Sequence, residues 1–163
     1  MNPKKTLINF ILIAAIFAVD RISKIYIIKI FELENKVEVY LTEYLNFYLI
    51  WNKGIAFGLF SFNESLIYNT ITGIIIIISI IVAVMIYNND GFKKTSLIFV
   101  LGGALGNLFD RIYYSAVPDF VDFHINGFHW FVFNVADIFI TLGIICLIFD
   151  EIFVNNKKNE KIT

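Results

Sequence analysis

Residues 66–87 read LIYNTITGIIIIISIIVAVMIY, a stretch without a single charged side chain. Its β-branched isoleucines would suit a strand in water. The length and the lack of polar alternation point instead to a helix that crosses a membrane. Three further apolar stretches approach the roughly 20 residues such a helix needs: 7–30, 95–113 and 131–154. The expected fold class is therefore an integral membrane, all-α bundle of four transmembrane helices. Composition agrees. Of 163 residues 58% are hydrophobic and 17% charged, where a soluble domain carries about 25% charged residues; mean hydropathy is +0.75. The length suits one membrane-embedded domain, 1–163.

The first apolar stretch follows MNPKK and has the look of a secretory signal. It lacks a clear small-x-small cleavage site, and apolar residues resume after Asp20, so a retained anchor is expected. Lys4 and Lys5, Lys93 and Lys94, and Lys157, Lys158 and Lys161 fall on one side if four helices alternate. The opposite connection, 31–65, carries Glu32, Glu34, Glu38, Glu43 and Glu64 against Lys36 and Lys53. By the positive-inside rule both termini are cytoplasmic, and connections 31–65 and 114–130 face outward. Val37, Val39 and Leu41 alternate with polar neighbours, which predicts a small extracytoplasmic β-sheet between helices 1 and 2. Tyr40, Tyr44, Phe47, Tyr48 and Trp51 suit a membrane interface. The tail NNKKNEKIT, 155–163, is expected to be disordered.

Net charge is −1, and no basic stripe with interleaved aromatics indicates nucleic acid. The single cysteine, Cys146, lies in an apolar run and reads as packing filler. Function must then lie in polar groups at membrane depth, because these are costly there. Asp20 and Lys24 stand one helical turn apart and can pair, as structure or as part of a site. In GGALGNLFDR, small residues Gly102, Gly103, Ala104 and Gly106 admit a close neighbouring helix. Asn107, Asp110 and Arg111 follow on one side of the same helix. Asn134 opens the fourth apolar helix and reads as a cap, but Asp137 one turn in still needs a partner. The upstream VPDFVDF offers Asp119 or Asp122. Pro118 disfavours helix at Val117, so the approach to Asp119 is expected to be extended.

Two carboxylates in a partly desolvated place share a proton, which supplies both a base for water and an acid for an amide. Other chemistries fit less well. No H-E-x-x-H occurs, and His124 and His129, read as surface-loop residues, make no zinc site by themselves. Ser23 and Lys24 are adjacent on a helix and do not face each other. An ion or proton carrier relaying through Asp119, Asp137 and Arg111 is the rival reading, and a non-catalytic membrane scaffold is another. The acids cluster toward the outer ends of the helices, which favours a one-sided site over a channel.

DRISK (Asp20–Lys24), NKGIAFG (Asn52–Gly58), GGALGNLFDR (Gly102–Arg111), VPDFVDF (Val117–Phe123) and FNVAD (Phe133–Asp137) occur in that order. With these blocks the chain resembles the bacterial lipoprotein signal peptidases (signal peptidase II) over nearly its whole length. The resemblance implies an aspartyl endopeptidase of the bacterial inner membrane that cuts prolipoprotein signal peptides just before a diacylglyceryl cysteine. It implies Asp119 and Asp137 as the catalytic pair, with Asp20, Lys24, Asn52, Gly54, Asn107, Arg111 and Asn134 shaping the site. It implies no metal or organic cofactor; the partners are lipidated precursor and membrane lipid. Two residues depart from the family's usual pattern, Trp51 before Asn52 and Pro118 before Asp119. Trp51, Phe57, Phe60 and Phe62 are expected to form an apolar cover over bound substrate.

The lysine asymmetry makes a direct prediction. A cysteine placed at Glu43 or Asn126 is expected to react with an impermeant thiol reagent from outside intact cells, and one at Asn89 is not. Labelling at Asn89 would reverse the orientation.

Overall fold

The structure, a computed structural model, describes residues 3–33, 35–54 and 64–155. Helix α1 runs Pro3–Ile28 and widens into a π-helical turn, Lys29–Leu33. Strands β1 (Val39–Thr42) and β2 (Leu45–Asn52) follow, then α2 (Glu64–Asn88) and α3 (Gly91–Tyr114). Strands β3 (Val117–Ile125) and β4 (Phe128–Phe133) lead into α4 (Val135–Phe149), which also ends in π-helical geometry, Asp150–Asn155. The cover residues Phe57, Phe60 and Phe62 and the tail beyond Asn155 lie outside the described residues.

The expected helices are present, and the sheet is larger than expected. It has four antiparallel strands in the order β1-β2-β3-β4, so it draws equally on both interhelical connections. Residues 114–130 are mostly strand where a loop was read, and 131–133 are strand where helix was read. The cause is the turn Asn126-Gly127, with φ of 51° and 78°. Two successive positive φ values make the tight hairpin whose twist matches its strands. The hairpin pulls the aromatic run Phe128–Phe133 into the sheet, and α4 begins only at Val135.

Helix α3 is the centre of the bundle and packs on α1, α2 and α4. Ile16, Val82, Ile86, Leu97, Ile98 and Leu101 form its apolar core. A second cluster, Ile27, Phe31 and Phe120, fastens the end of α1 to the sheet. The close approach of α3 and α4 depends on missing side chains. A Cβ on Gly103 would lie 2.5 Å from the Ala136 carbonyl oxygen, and one on Gly143 2.7 Å from that of Ser96. Among the described residues two helices, Ser65–Asn88 and Gly91–Tyr114, are long and apolar enough to cross a membrane. Helix α1 is interrupted by Asp20, Arg21 and Lys24, and the α-helical part of α4 is only 15 residues long. Yet Phe10, Ile22, Ile77, Ile80 and Ile145, on α1, α2 and α4, are each more than half exposed. Apolar surface so extensive and so distributed fits lipid as the surrounding solvent.

Gly103→Ala is expected to lower the thermal midpoint of the detergent-solubilised protein by several degrees, because a backbone carbonyl cannot step aside as a side chain can. Gly73→Ala, where nothing lies within 4 Å of the added carbon, is the control and should lose nothing. Equal melting of the two variants would show that the α3–α4 contact is looser than the geometry states.

Candidate active site

The sheet and the start of α4 meet at two carboxylates. Asp119 lies on β3 beside Ile50 of β2, and only 4% of its surface is accessible. Pro118 is tolerated before it because β4 pairs with β3 only from Val121 onward, leaving β2 as the sole neighbour there. Trp51 pairs with Pro118 across the strands and packs its ring on Tyr114, 5.3 Å between centroids. Asp137 occupies the first turn of α4.

Each carboxylate is held by side-chain amides. Asn134 Nδ2 donates to Asp119 Oδ1 at 2.6 Å, and Asn52 Nδ2 donates to Asp119 Oδ2 at 2.8 Å. Asn107 Nδ2 donates to Asp137 Oδ1 at 2.8 Å, and the Asn134 backbone N–H donates to Asp137 Oδ2 at 3.1 Å. An amide could equally present its oxygen, which would repel a carboxylate, so its orientation must be fixed. All three are fixed by a second hydrogen bond. Asn52 Oδ1 accepts the Gly54 N–H at 2.6 Å. Asn107 Oδ1 accepts from the Lys24 ammonium at 2.8 Å. Asn134 Oδ1 accepts the Asp137 N–H at 3.1 Å, closing a capping box at the head of α4. Asn134 is thus the helix cap and also the donor to Asp119.

Behind Asn107 lies an ionic cluster. Lys24, with no accessible surface, reaches Asp20 Oδ1 at 3.0 Å and Asp110 Oδ2 at 2.6 Å. Arg21 closes the cluster at Asp20 Oδ2 (3.0 Å) and Asp110 Oδ1 (2.5 Å). Asp20 Oδ1 also accepts the Ala136 N–H at 2.9 Å, tying α1 to the head of α4. A Cβ on Gly106 would fall 2.5 Å from Asp20 Oδ2, so glycine there leaves room for the acid.

Of the residues expected at the site, Asp20, Lys24, Asn52, Asn107 and Asn134 link to the two carboxylates in one polar chain. Gly54, at φ 81°, turns the backbone to present its N–H to Asn52. Arg111 packs on the same turn. It points to Gly54, with its guanidinium carbon 5.5 Å from the Tyr68 ring centre. Asp110 and Arg21 complete the cluster. The sequence signal for Arg21 was a third charge in an apolar helix beside an Asp–Lys pair already assigned. Asp122 has different partners, His129 Nδ1 at 2.8 Å and His124 Nδ1 at 3.3 Å. Residues three apart on a strand face opposite ways, which separates it from Asp119. The two histidines are not loop residues: they oppose each other across β3 and β4, and with Asp122 their ligand atoms lie within 4.8 Å.

Burial pushes the Asp119 carboxyl up to about 6, and the neighbouring charge of Asp137 adds to the rise, while the Asn52 and Asn134 amides oppose it. Near neutral pH this carboxyl can both hold and release a proton.

Comparison with known proteins gives a consistent result. Residues 12–153 match the family model described as "Signal peptidase (SPase) II". A lipoprotein signal peptidase of Pelagibacter ubique is 54% identical over 99% of this chain and 98% of its own length. One from Anaplasma phagocytophilum is 38% identical over 96% of this chain and 99% of its own. The fold is similar to a solved bacterial membrane enzyme at 23% identity, with a TM-score of 0.67 over 93% of this chain and 90% of that one.

The hydrogen bonds to Asp119 set the sign of a testable shift. Asn52→Ala removes a donor that favours the charged form, so the Asp119 carboxyl should titrate above the wild-type value of about 6. Infrared titration of the protonated carboxyl band, with Asp119→Asn as the reference that lacks it, measures this. An unchanged or lower value would mean that Asn52 does not stabilise the carboxylate.

Proposed function

The chain belongs to the signal peptidase II family, its function is that of an aspartic endopeptidase removing signal peptides from lipid-modified prolipoproteins, and we propose that Asp119 and Asp137 are the pair that cuts. The observation that carries this is the arrangement of three asparagines, each locked by a second hydrogen bond, with amide N–H donors aimed at these two carboxylates. The pair holds one proton. The ionised partner takes a proton from a water as its oxygen attacks the scissile carbonyl carbon. The protonated partner gives its proton to the carbonyl oxygen, forming a tetrahedral diol. As the C–N bond breaks, the carboxyl that took the water's proton passes it to the departing nitrogen and the other takes a proton from the diol. An amine and a carboxylic acid leave, and the pair again holds one proton.

The cut falls just before the diacylglyceryl cysteine. Four transmembrane helices put the sheet and the two carboxylates at the outer face of the bacterial inner membrane, with both termini cytoplasmic. Supporting this, Tyr40, Tyr44 and Trp130 of the sheet are exposed aromatics of the kind that settle at an interface. At the other end, a groove lined by Thr6, Tyr87 and Lys94 brings the lysine-bearing ends of α1 and α3 together. The substrate's lipid fixes its depth. Each buried methylene contributes about 0.8 kcal/mol, so two acyl chains hold the cysteine beside the carboxylates and make the encounter effectively intramolecular.

Asp119→Asn and Asp137→Asn should each lower cleavage of a lipidated precursor on the order of a thousandfold while the protein stays folded; Asp122→Asn should be much milder. Near-normal turnover in either of the first two would sink the assignment. Unmodified precursor at matched concentration should give a far lower kcat/KM than diacylglyceryl precursor, and equal values would refute lipid anchoring.

A further inference from the structure

We propose that the four-stranded sheet carries a second site, separate from the carboxylate pair, in which Asp122, His124 and His129 bind one divalent transition cation of the zinc type. The ligand atoms of these three residues all lie within 4.8 Å of one another. Asp122 Oδ2 is 2.8 Å from His129 Nδ1 and 3.3 Å from His124 Nδ1. Around tetrahedral zinc, with bonds of 2.0–2.2 Å to nitrogen and oxygen, neighbouring ligand atoms stand about 3.3 Å apart. The two carboxylate–imidazole separations lie within about 0.5 Å of that value, and rotation of the exposed His129 ring brings the two imidazole nitrogens, within 4.8 Å of each other, onto the same ion.

The backbone prepares this arrangement. Asp122 and His124 are two apart on β3 and share a face. Between the pairs Asp122↔Val132 and His124↔His129 the register slips by one residue. A regular ladder would set Trp130 opposite His124; the slip sets His129 there instead, and the two imidazoles stack with centroids 5.0 Å apart and planes at 28°. Bulges re-aim side chains in this way.

An ion pair between Asp122 and one protonated histidine does not account for the whole cluster. Such a pair uses Asp122 Oδ2, yet Asp122 Oδ1 and His124 Nδ1 are buried without a hydrogen-bond partner among the described residues. Each imidazole turns its Nδ1 toward the same oxygen, Asp122 Oδ2, at 2.8 and 3.3 Å, so a single ion at that point is shared by all three side chains. A cation satisfies the carboxylate and two neutral imidazoles together. Two nitrogen ligands with one carboxylate select zinc-type ions over magnesium or calcium, which prefer oxygen. His129 is largely exposed, and a cavity of about 330 Å³ opens beside it, lined also by Glu38 and Tyr48. The ion has a way in, and a fourth position is left for water.

The test uses the full chain without a histidine tag, purified in detergent and treated with chelator, then titrated with Co²⁺. One Co²⁺ per chain is expected, with the intense visible bands of a tetrahedral site, displaced by Zn²⁺ and not by Mg²⁺ or Ca²⁺. His124→Ala and His129→Ala should each weaken binding about 100-fold or more while cleaving precursor at the wild-type rate. Asp137→Asn should bind as the wild type does, which separates this site from the carboxylate pair. Weak octahedral bands in the wild type, or affinity unchanged in His124→Ala, would overturn the proposal. Zinc-edge X-ray absorption on the wild type decides even if a variant fails to fold: two imidazole ligands are expected, and none or one refutes the site.

Discussion

The Lys24 ammonium is the interaction on which the rest depends. It has three N–H donors and no accessible surface, and three oxygens receive it: Asp20 Oδ1, Asp110 Oδ2 and Asn107 Oδ1. Asp20 and Lys24 come from α1, while Asn107 and Asp110 come from α3. One side chain thus binds two helices and orients the amide that holds Asp137. With Arg21 the cluster has two positive and two negative groups, so it is neutral as a whole. That balance matters for groups so fully buried. Removing one member of such a cluster leaves an uncompensated buried charge at a cost of about 3–5 kcal/mol.

The site follows the same logic at smaller scale. A carboxylate pair works only if its two members remain chemically distinct and fixed in position. Asparagine does both here because it is short, uncharged and two-ended. Its oxygen is committed to a fixed donor, whether an ammonium or a backbone N–H, and its NH₂ must then face the carboxylate. Aspartate in any of these places would add a third repelling charge. Arg111 belongs to the periphery of this frame. Its guanidinium lies where a Cβ on Gly54 would be, 2.9 Å from Nη1, so it packs on the turn that supplies Asn52 with its donor.

Much of this was legible from residues alone, for identifiable reasons. Helices α2 and α3 announce themselves by length and apolarity, which local geometry cannot disguise. The Asp20–Lys24 pair follows from helical spacing, and the extended approach to Asp119 from Pro118. The second hairpin was not legible in the same way, because Phe128–Phe133 is apolar and directly abuts an apolar helix. Periodicity cannot separate a short, continuously apolar strand from a helix start. The available clue was Asn126-Gly127 between two aromatic-rich runs, a strong hairpin signal that the flanking apolar helix masked. Reading 114–130 as a loop also hid the pairing of His124 with His129. The side chosen by Arg111 was not legible either, since a helical wheel gives direction but not which neighbour waits there.

Asn134 shows why fold and chemistry cannot be separated in this chain. The carboxylates belong to different layers, Asp119 to the sheet and Asp137 to the bundle, and the layers meet where β4 becomes α4. Asn134 is that junction. Its side chain donates to Asp119, its backbone N–H donates to Asp137, and its amide oxygen accepts from Asp137's own N–H. It is the one described residue hydrogen-bonded to both acids, and it has no accessible surface. A shift of the sheet against the bundle would have to break one of these bonds before it could change the spacing of the pair. The cap that starts the helix is therefore also the gauge that sets the distance between the two carboxylates.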